Sequence, residues 1–400
     1  MKIKIPLLLR IVIAIILGML LGMCVPDVCV RVMATFNALF DQILKFLIPL
    51  IIVGLVTPAI AELGKGAGKM LGITVVFAYS FTVLSGLFSY ATSVAVFPSL
   101  IDSQHFAEIA TATEDPFPPF FVIAIPPMME VMTALVLAFM AGLGIAAFDA
   151  PVLRQGFKEF RNIVTKTIEK IIIPFLPVYI FGIFLKMAAE GQIAVVLATF
   201  LKIIIVIFIM TFVILILQYL LAGAVTKRNP FKLLATMMPA YFTALGTASS
   251  AATIPVTLKQ TLKNKVSEEV AGFVIPLCAT IHLSGSTLKI TACAIAIMMI
   301  NGMPFDFPLM LGFILMLGVV MVAAPGVPGG AIMASLGVLG SILGFNTEQE
   351  AMMITLYVAM DSFGTACNVT GDGSIALIID RINRINRINR TKKETSKSET

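Results

Sequence analysis

Apolar stretches of about 18 residues or more recur along this chain, and each is long enough to cross the roughly 30 Å hydrocarbon core of a bilayer as a helix. The clearest are residues 131–148 and 203–225, and residues 11–23 and 46–60 join them once flanking apolar positions are added. The chain is 59% hydrophobic and 12% charged, whereas a soluble domain is roughly half apolar and a quarter charged. The sequence therefore predicts an all-α membrane protein with about eight spans and no large soluble domain.

The two ends of the chain are basic. The first apolar segment follows Lys2, Lys4 and Arg10 without a clear small-residue cleavage site, so we interpret it as a retained helix rather than a signal peptide. The net charge of +6 arises largely in a low-complexity C-terminal tail. Such a tail is typical of a cytoplasmic end that faces anionic lipid. We expect the lipid bilayer, and not nucleic acid, as its partner.

The motifs of common enzymes are missing from the sequence. Five cysteines and two histidines show no zinc-binding spacing, and there is no phosphate-binding loop, nucleophile elbow or dinucleotide fingerprint. Cys278, Cys293 and Cys367 lie inside apolar segments, where packing is a simpler role than disulfide formation. A membrane enzyme would need a nucleophile–base pair or a metal cluster, so we expect that the protein is not an enzyme.

The last apolar segment carries four polar residues on one helical face. Asp361, Thr365, Asn368 and Asp372 follow one another at i, i+4, i+7 and i+11, which places them within an arc of roughly 60° on a helix. A carboxylate at membrane depth costs on the order of 2.5–3.5 kcal/mol. This face must therefore contact protein, water or a bound cation, and it indicates a transport site for cations or cationic groups.

The distribution of Lys and Arg predicts which loops are cytoplasmic. Basic and non-basic loops alternate through six spans and place the N-terminus in the cytoplasm, and the basic tail places the C-terminus there too. The basic loops are the N-terminus, Lys65 with Lys69, 154–170, 227–232, 259–265 and the tail; the others are 26–30, 100–119, the region near Glu190, 301–308 and 346–350.

Two apolar segments break this alternation, and both have helix-breaking centres. Residues 233–258 begin and end on basic loops and contain GTASSAATIPVT, whereas residues 309–343 begin and end on non-basic loops and contain APGVPGGAIM. We expect each to be a re-entrant helical hairpin, the first from the cytoplasm and the second from outside. Small residues also serve helix packing alone, but two such segments of opposite orientation indicate an inverted repeat with a transport site at the midplane.

Residues 270–300, between the hairpins, predict a helix that is broken in the middle. The run ATIHLSGST places His282, Ser284 and Gly285 where a lipid-facing helix would not tolerate them. The fold class that we predict is therefore an all-α membrane protein with eight transmembrane helices and two re-entrant helical hairpins in inverted-repeat topology. A channel or receptor with a polar pore is the rival class, and it would not need the hairpins.

These segments resemble the glutamate/aspartate-type family of dicarboxylate/amino acid:cation symporters over nearly the whole chain. Residues 249–257, SSAATIPVT, resemble the family's serine-rich first hairpin tip, and residues 325–330, PGVPGG, resemble the second tip, which is the extracellular gate. Residues 368–372, NVTGD, match the motif of the family's last helix. The resemblance implies a homotrimer in a bacterial inner membrane, in which a static scaffold holds a transport domain that moves like an elevator.

The resemblance also implies how the chain divides between scaffold and transport domain. Residues 1–69 and 118–190 correspond to scaffold helices 1–2 and 4–5. Residues 70–99 correspond to helix 3 of the transport domain, and residues 191–383 to its core of helix 6, first hairpin, helix 7, second hairpin and helix 8. Residues 384–400 are the basic cytoplasmic tail.

The resemblance assigns roles to the polar residues. Asp361 corresponds to the residue that takes the substrate α-ammonium, and Asn368 and Ser250 correspond to residues that hold the α-carboxylate. Asp372 and the backbone of Asn368 correspond to a site for Na⁺, which we expect as the coupling ion, without a resident cofactor. These roles suit the chemistry, because carboxylates pair with ammonium groups and amides or hydroxyls orient carboxylates. The other positions expected to line the substrate pocket are Ser249, Val327, Gly330, Gly364 and Thr365.

One departure from the family pattern concerns the substrate. The family's acidic-substrate members carry an arginine one residue before Thr365 or at the first hairpin tip, and here those positions are Gly364 and Ala248. Neither stretch holds a Lys or Arg for a side-chain carboxylate. We therefore expect a small neutral amino acid such as serine, threonine or alanine. The alternative is an acidic amino acid or C4-dicarboxylate, coupled to Na⁺ or H⁺.

The broken helix is the other departure. The family's Asn-Met-Asp-Gly-Thr run reads HLSGS here, with His282 for the Asn and Ser284 for the cation-binding Asp. We therefore expect fewer coupled Na⁺ ions than in the family's three-sodium members. Lys289 is a candidate for a tethered charge near Asp361 or Asp372, unless it snorkels to the surface. His282 is a candidate for proton coupling, or it is a hydrogen-bonded packing residue.

Overall fold

The computed structural model describes residues 7–63, 69–101, 116–148, 150–191, 193–324 and 329–398, and all regular structure within them is helical. A 3₁₀ turn at Phe97–Ser99 and a π-helical turn at Ile168–Ile172 accompany the α-helices. In chain order, the α-helices of the described residues are α1 Leu7–Gly22, α2 Asp27–Leu63, α3 Lys69–Val96, α4 Val131–Ala147, α5 Pro151–Thr167, α6 Ile173–Ala189, α7 Ile193–Thr226, α8 Pro230–Thr247, α9 Ser250–Lys263, α10 Glu268–Ile281, α11 Ser284–Ile300, α12 Phe307–Ala323, α13 Gly330–Leu343, α14 Thr347–Ala359 and α15 Asp361–Ser398.

Several of these helices can cross a membrane. By length and composition, five in the described part of the chain qualify, and four shorter apolar helices accompany them. Large apolar side chains such as Leu20, Val76 and Ile209 are exposed, as expected of a surface that meets lipid rather than water. The predicted all-α class is confirmed, whereas the number of spans stays a prediction. The five long helices are Asp27–Ala61, Met70–Ser99, Pro151–Ala189, Thr199–Thr226 and Glu268–Ile300.

Both segments predicted to be hairpins are helix pairs, and each interruption lies within the run of small residues that the sequence indicated. In the first run, however, Pro255 was expected to break the helix and instead lies inside α9. In the first pair, α8 ends and α9 begins around Ala248, whose φ of 48° lies in the left-handed region and redirects the chain. In the second pair, α12 and α13 flank residues 325–328, which lie outside the described residues and include Val327. The helices of each pair pack on one another. Their re-entrant topology stays a prediction.

Two breaks shape the centre of the molecule. One separates α10 from α11 at His282 and Leu283, where the sequence predicted it. The other, at Met360, separates α14 from α15, and no residue pattern predicted it. The half-helix α11 is buried almost throughout and packs against both α3 and α15. The breaks therefore place backbone ends and polar side chains inside an apolar core.

Two segments expected to be loop or tail are helical instead. The basic segment 154–170 lies largely in α5, because Phe160 and Val164, one turn apart, give it an apolar face that packs against Gly54 of α2. At the other end, α15 continues to Ser398 and includes most of the predicted tail. Asp380 holds this helix near the start of α10, because its Oδ1 accepts hydrogen bonds from the backbone N–H and the hydroxyl of Ser267, at 3.1 and 2.7 Å.

Candidate functional site

The four polar residues of the last segment lie on one buried face of α15, as their spacing predicted. Asp361, Thr365, Asn368 and Asp372 are 8%, 8%, 4% and 1% exposed. Carboxylates in such surroundings are costly unless they are paired and hydrogen-bonded. Each of the two carboxylates has its partner on the broken helix formed by α10 and α11.

Asp361 forms a buried ion pair with Lys289. The Lys289 Nζ lies 3.9 Å from Asp361 Oδ1, donates to the carbonyl of Met360 at 3.0 Å, and lies 4.0 Å from the ring centroid of Tyr357, a cation–π contact. The other carboxylate oxygen accepts a 2.7 Å hydrogen bond from the backbone N–H of Gly329, just before α13. Lys289 is the only Lys or Arg buried among the described residues, so it supplies the compensating charge for Asp361.

Gly364 provides the space that the Lys289 side chain occupies. A Cβ atom at position 364 would overlap Cε and Nζ of Lys289. The place where the resemblance expects an arginine side chain is thus filled by a lysine from the neighbouring helix. Thr365, the next residue, donates its hydroxyl to the carbonyl of Asp361 at 3.1 Å, a bond within α15.

Asn368 ties α15 to the first turn of α11. Its Oδ1 accepts from the backbone N–H of Gly285 at 2.7 Å, and its Nδ2 donates to the Ser286 hydroxyl at 3.2 Å. The Tyr357 hydroxyl donates to the same Ser286 oxygen at 3.0 Å. One N–H and one acceptor position of the Asn368 amide are therefore engaged within the protein, and its second N–H is left for a substrate carboxylate.

Asp372 pairs with His282 at the break of the helix. The His282 Nδ1 lies 2.9 Å from Asp372 Oδ1, and both side chains are buried. The hydroxyl of Ser284 accepts from Gln218 Nε2 at 3.1 Å, and its carbonyl accepts from the Ser85 hydroxyl at 2.8 Å. The predicted coupling residues thus occupy two places: His282 and Ser284 lie at the break beside Asp372, and Lys289 lies at the other carboxylate.

The surroundings of Asp372 contain an unsatisfied oxygen. Gln218 Oε1 is buried without a hydrogen-bond partner, and so is Nε2 of His282. Buried polar atoms are rarely left unpaired. A carboxylate and an amide oxygen are donors that suit a hard cation such as Na⁺, although the imidazole already occupies one oxygen of the carboxylate. Within the described residues, no group of three or more His, Cys, Asp and Glu side chains forms a metal-binding cluster.

The predicted residues of the two hairpins lie at the helix breaks. The Ser249 hydroxyl caps α9 by accepting from the backbone N–H of Ala252 at 3.3 Å, and Ser250 begins the helix half-buried. The helix α9 packs against α15, which carries the polar face. Gly330 is buried at the start of α13, while Val327 lies outside the described residues.

Sequence reasoning missed three side chains and one backbone group of this site: Gln218, Ser286, Tyr357 and the N–H of Gly329. Gln218 is a polar residue inside the apolar helix α7, and that signal was available. Tyr357 precedes Asp361 by four residues, but the break between them changes which positions share a face, and a periodic pattern does not reveal such a break.

Residues 7–382 match the model of the sodium:dicarboxylate symporter family. The match covers nearly the whole chain, so the chain belongs to this family, and the predicted resemblance is confirmed. The family is one of transporters and not of enzymes. Together with the apolar helices, this makes the protein a multi-pass membrane transporter.

The chain is also similar to individual transporters. The chain is similar to the serine/threonine transporter SstT of Acinetobacter baumannii, with 27% identity over 362 residues, which is 87% of this chain and 90% of the relative. It is also similar to excitatory amino acid transporter 1 of Ambystoma tigrinum, with 32% identity over 165 residues, or 41% of this chain and 30% of the relative. Human excitatory amino acid transporter 2 is 32% identical over 156 residues, or 39% of this chain and 27% of the relative.

Proposed function

We propose that this protein is a sodium-coupled symporter that imports a small neutral amino acid such as serine, threonine or alanine. The observation that carries the proposal is the buried carboxylate of Asp361, which has Lys289 as its nearby cation and a backbone N–H on its other oxygen. An α-ammonium group is the natural ligand of such a carboxylate.

The charges at the site indicate that the substrate has an uncharged side chain. Asp361 and Lys289 compensate one another, and no other Lys or Arg is buried in the described part of the chain. A substrate with a side-chain carboxylate would bring a negative charge into this interior without a cation to pair it, at a cost of several kcal/mol. The similarity to a serine/threonine transporter over 87% of the chain supports the same substrate class.

In this proposal, Asp372 and the backbone of Asn368 hold the coupled Na⁺. The carboxylate and the free oxygen of Gln218 supply hard donors. His282 and Ser284 stand where the family has an Asn and a cation-binding Asp, and the His282 imidazole already contacts Asp372. We therefore propose that fewer than three Na⁺ ions are coupled to each substrate.

The architecture proposed for this function is a homotrimer in a bacterial inner membrane, with eight spans, two re-entrant hairpins and cytoplasmic termini. Each protomer has the scaffold and transport domains described above, and the transport domain moves as an elevator. The position of Gly329, bonded to Asp361, supports a role for the second hairpin in closing over the substrate.

Solute counterflow in proteoliposomes tests the proposal. Vesicles with purified protein are loaded with unlabelled serine and receive labelled serine outside, with and without Na⁺. We expect transient accumulation of label that needs Na⁺ and that threonine and alanine reduce by competition. Strong aspartate or C4-dicarboxylate transport without competition by serine or alanine would instead favour the alternative substrate class, and an absence of counterflow with every amino acid would contradict a carrier.

A further inference from the structure

The proposed function uses Lys289 only as the charge that compensates Asp361, and gives it no contact with the substrate. The Lys289 side chain is fully buried, and burying an ammonium group is costly unless it is compensated. Its surroundings are Asp361, the carbonyl of Met360 and the ring of Tyr357. A lysine that served only to neutralise Asp361 would be expected within hydrogen-bond distance of it, at about 2.7–3.2 Å.

The observed distance is longer. Nζ lies 3.9 Å from Asp361 Oδ1 and donates at 3.0 Å to a neutral carbonyl instead. An ammonium group has three N–H donors, and the Met360 bond uses one of them. The described contacts thus leave the Lys289 ammonium with donor capacity beside the carboxylate that is proposed to take the substrate's ammonium.

The residue expected to hold the substrate's α-carboxylate is neutral and partly engaged elsewhere. Both ends of the Asn368 amide are bonded to α11, through Gly285 and Ser286. A cation would bind a carboxylate more strongly than this neutral amide, because charge-assisted hydrogen bonds are the stronger ones. The buried cation next to the ammonium site is Lys289, and Gly364 is the residue whose missing side chain lets it reach that place.

We propose that Lys289 binds the α-carboxylate of the substrate while Asp361 binds its α-ammonium, so that a zwitterion inserts into the buried Lys289–Asp361 ion pair. The inference rests on the proposed function and deepens it. The charges of Lys289 and Asp361 compensate one another, and a zwitterion adds no net charge to the pair. The substrate's α-carboxylate takes the place of Asp361 as the partner of Lys289, and its α-ammonium takes the place of Lys289 as the partner of Asp361. Neither buried charge is therefore left unpaired.

The ligand class follows from this charge pattern. A neutral amino acid satisfies both charges. An amino acid amide has the ammonium but no carboxylate, and a hydroxy acid has the carboxylate but no ammonium, so each leaves one protein charge without its partner. A dicarboxylic amino acid carries an additional negative charge. L-Alanine, L-alaninamide and L-lactate form a matched series, because all three have the same methyl side chain.

Equilibrium binding of this series to purified full-length protein tests the proposal. In the wild type, alanine binds more tightly than alaninamide and lactate, each by about 10- to 100-fold for one lost charge-assisted contact. In Lys289→Met, the preference for alanine over alaninamide disappears, because no buried cation remains to bind the α-carboxylate of alanine. In Asp361→Asn, the preference for alanine over lactate disappears, because the remaining Lys289 suits an anion. Lys202→Met, which removes an exposed lysine of α7, is the matched control and keeps wild-type preferences.

Three results would overturn the proposal. An unchanged ratio of alanine to alaninamide affinity in Lys289→Met means that the lysine only neutralises Asp361. A loss in this variant that affects aspartate and spares alanine means that it holds a side-chain carboxylate. If Lys289→Met does not fold because Asp361 is left unpaired, the double variant Lys289→Met/Asp361→Asn removes both charges, and wild-type preference for alanine over both analogues in that variant is the third contrary result.

The same data separate this inference from the proposed function. A wild-type protein that neither binds nor transports any neutral amino acid contradicts the proposed function itself. Wild-type binding of alanine with unaltered selectivity in Lys289→Met contradicts the inference alone.

Discussion

At the scale of single residues, the partners of the two buried carboxylates organise the site. The polar face of α15 was predictable, because helical periodicity alone places Asp361 and Asp372 on one side. Their partners were not, because Lys289 and His282 are distant in sequence and the positions of their side chains depend on how α11 packs. The sequence left open whether Lys289 lies near Asp361 or Asp372, and the structure places it at Asp361.

The predicted Na⁺ site gives a prediction at Asp372. Asp372→Asn removes the charge that attracts the cation but keeps an oxygen that can face His282. We expect Na⁺-driven uptake of serine to be abolished while the protein still inserts and assembles, as measured in proteoliposomes and by size-exclusion chromatography. Asp306→Asn is the control, because Asp306 is an exposed helix cap and Asn caps equally well. Unchanged sodium dependence in Asp372→Asn would rule the site out.

Gly364 gives a second prediction at the same scale. In Gly364→Ala the new methyl group overlaps the end of Lys289, so the flexible ammonium must move away from Asp361 and Tyr357. We expect a loss of stability of about 1–3 kcal/mol, as for other overpacked cores, together with weaker binding of alanine. Thermal unfolding in detergent with and without alanine measures both effects.

Gly272→Ala is the matched control for this substitution. Gly272 also lies within a helix, α10, but a Cβ there meets nothing within 4 Å. Since alanine favours a helix over glycine by up to about 1 kcal/mol, the control should be neutral or slightly stabilising. A Gly364→Ala protein that behaves like Gly272→Ala would show that Lys289 is not fixed in the place described.

At the scale of elements, the breaks in the helices decide where the polar groups lie. Loop charge and helix-breaking runs were sufficient to predict the interruptions near Ala248 and His282. The break at Met360 was not predictable, because no Gly or Pro marks it and its carbonyl is stabilised by a remote lysine. The helix α5 was not predicted, for a different reason. Its basic residues led to the interpretation as a cytoplasmic loop, and the helical spacing of its apolar residues was not considered.

The opposite orientation of the two hairpins gives a prediction for this scale. Lys263 follows the first hairpin and is exposed, and Glu348 follows the second with a side chain that is 56% exposed. After Cys24 and Cys29, which are the exposed cysteines, are replaced by Ser, a membrane-impermeant maleimide should label Lys263→Cys only from the cytoplasm. It should label Glu348→Cys only from outside. Labelling of both positions from one side would contradict the inverted-repeat topology.

At the scale of the whole molecule, the family match defines a transporter, and the substrate class that we propose rests on the charges of the site. The family match over residues 7–382 was foreseeable from the hairpin tips and the last helix. The number of coupled Na⁺ ions could not be predicted in the same way. In our proposal it depends on the contacts that His282, Ser284 and neighbours such as Gln218 make around Asp372. Sodium coupling and the number of Na⁺ ions per substrate must therefore be measured on the whole protein.

The reversal potential of serine transport in proteoliposomes tests sodium coupling directly. The voltage at which net flux stops gives the number of charges and Na⁺ ions moved with each substrate. With fixed gradients of serine and Na⁺, we expect a reversal potential that shifts with the Na⁺ gradient and corresponds to at least one but fewer than three Na⁺ ions per serine. A reversal potential that ignores the Na⁺ gradient would contradict sodium coupling, and one that corresponds to three Na⁺ ions would contradict the proposed loss of a cation site at the broken helix.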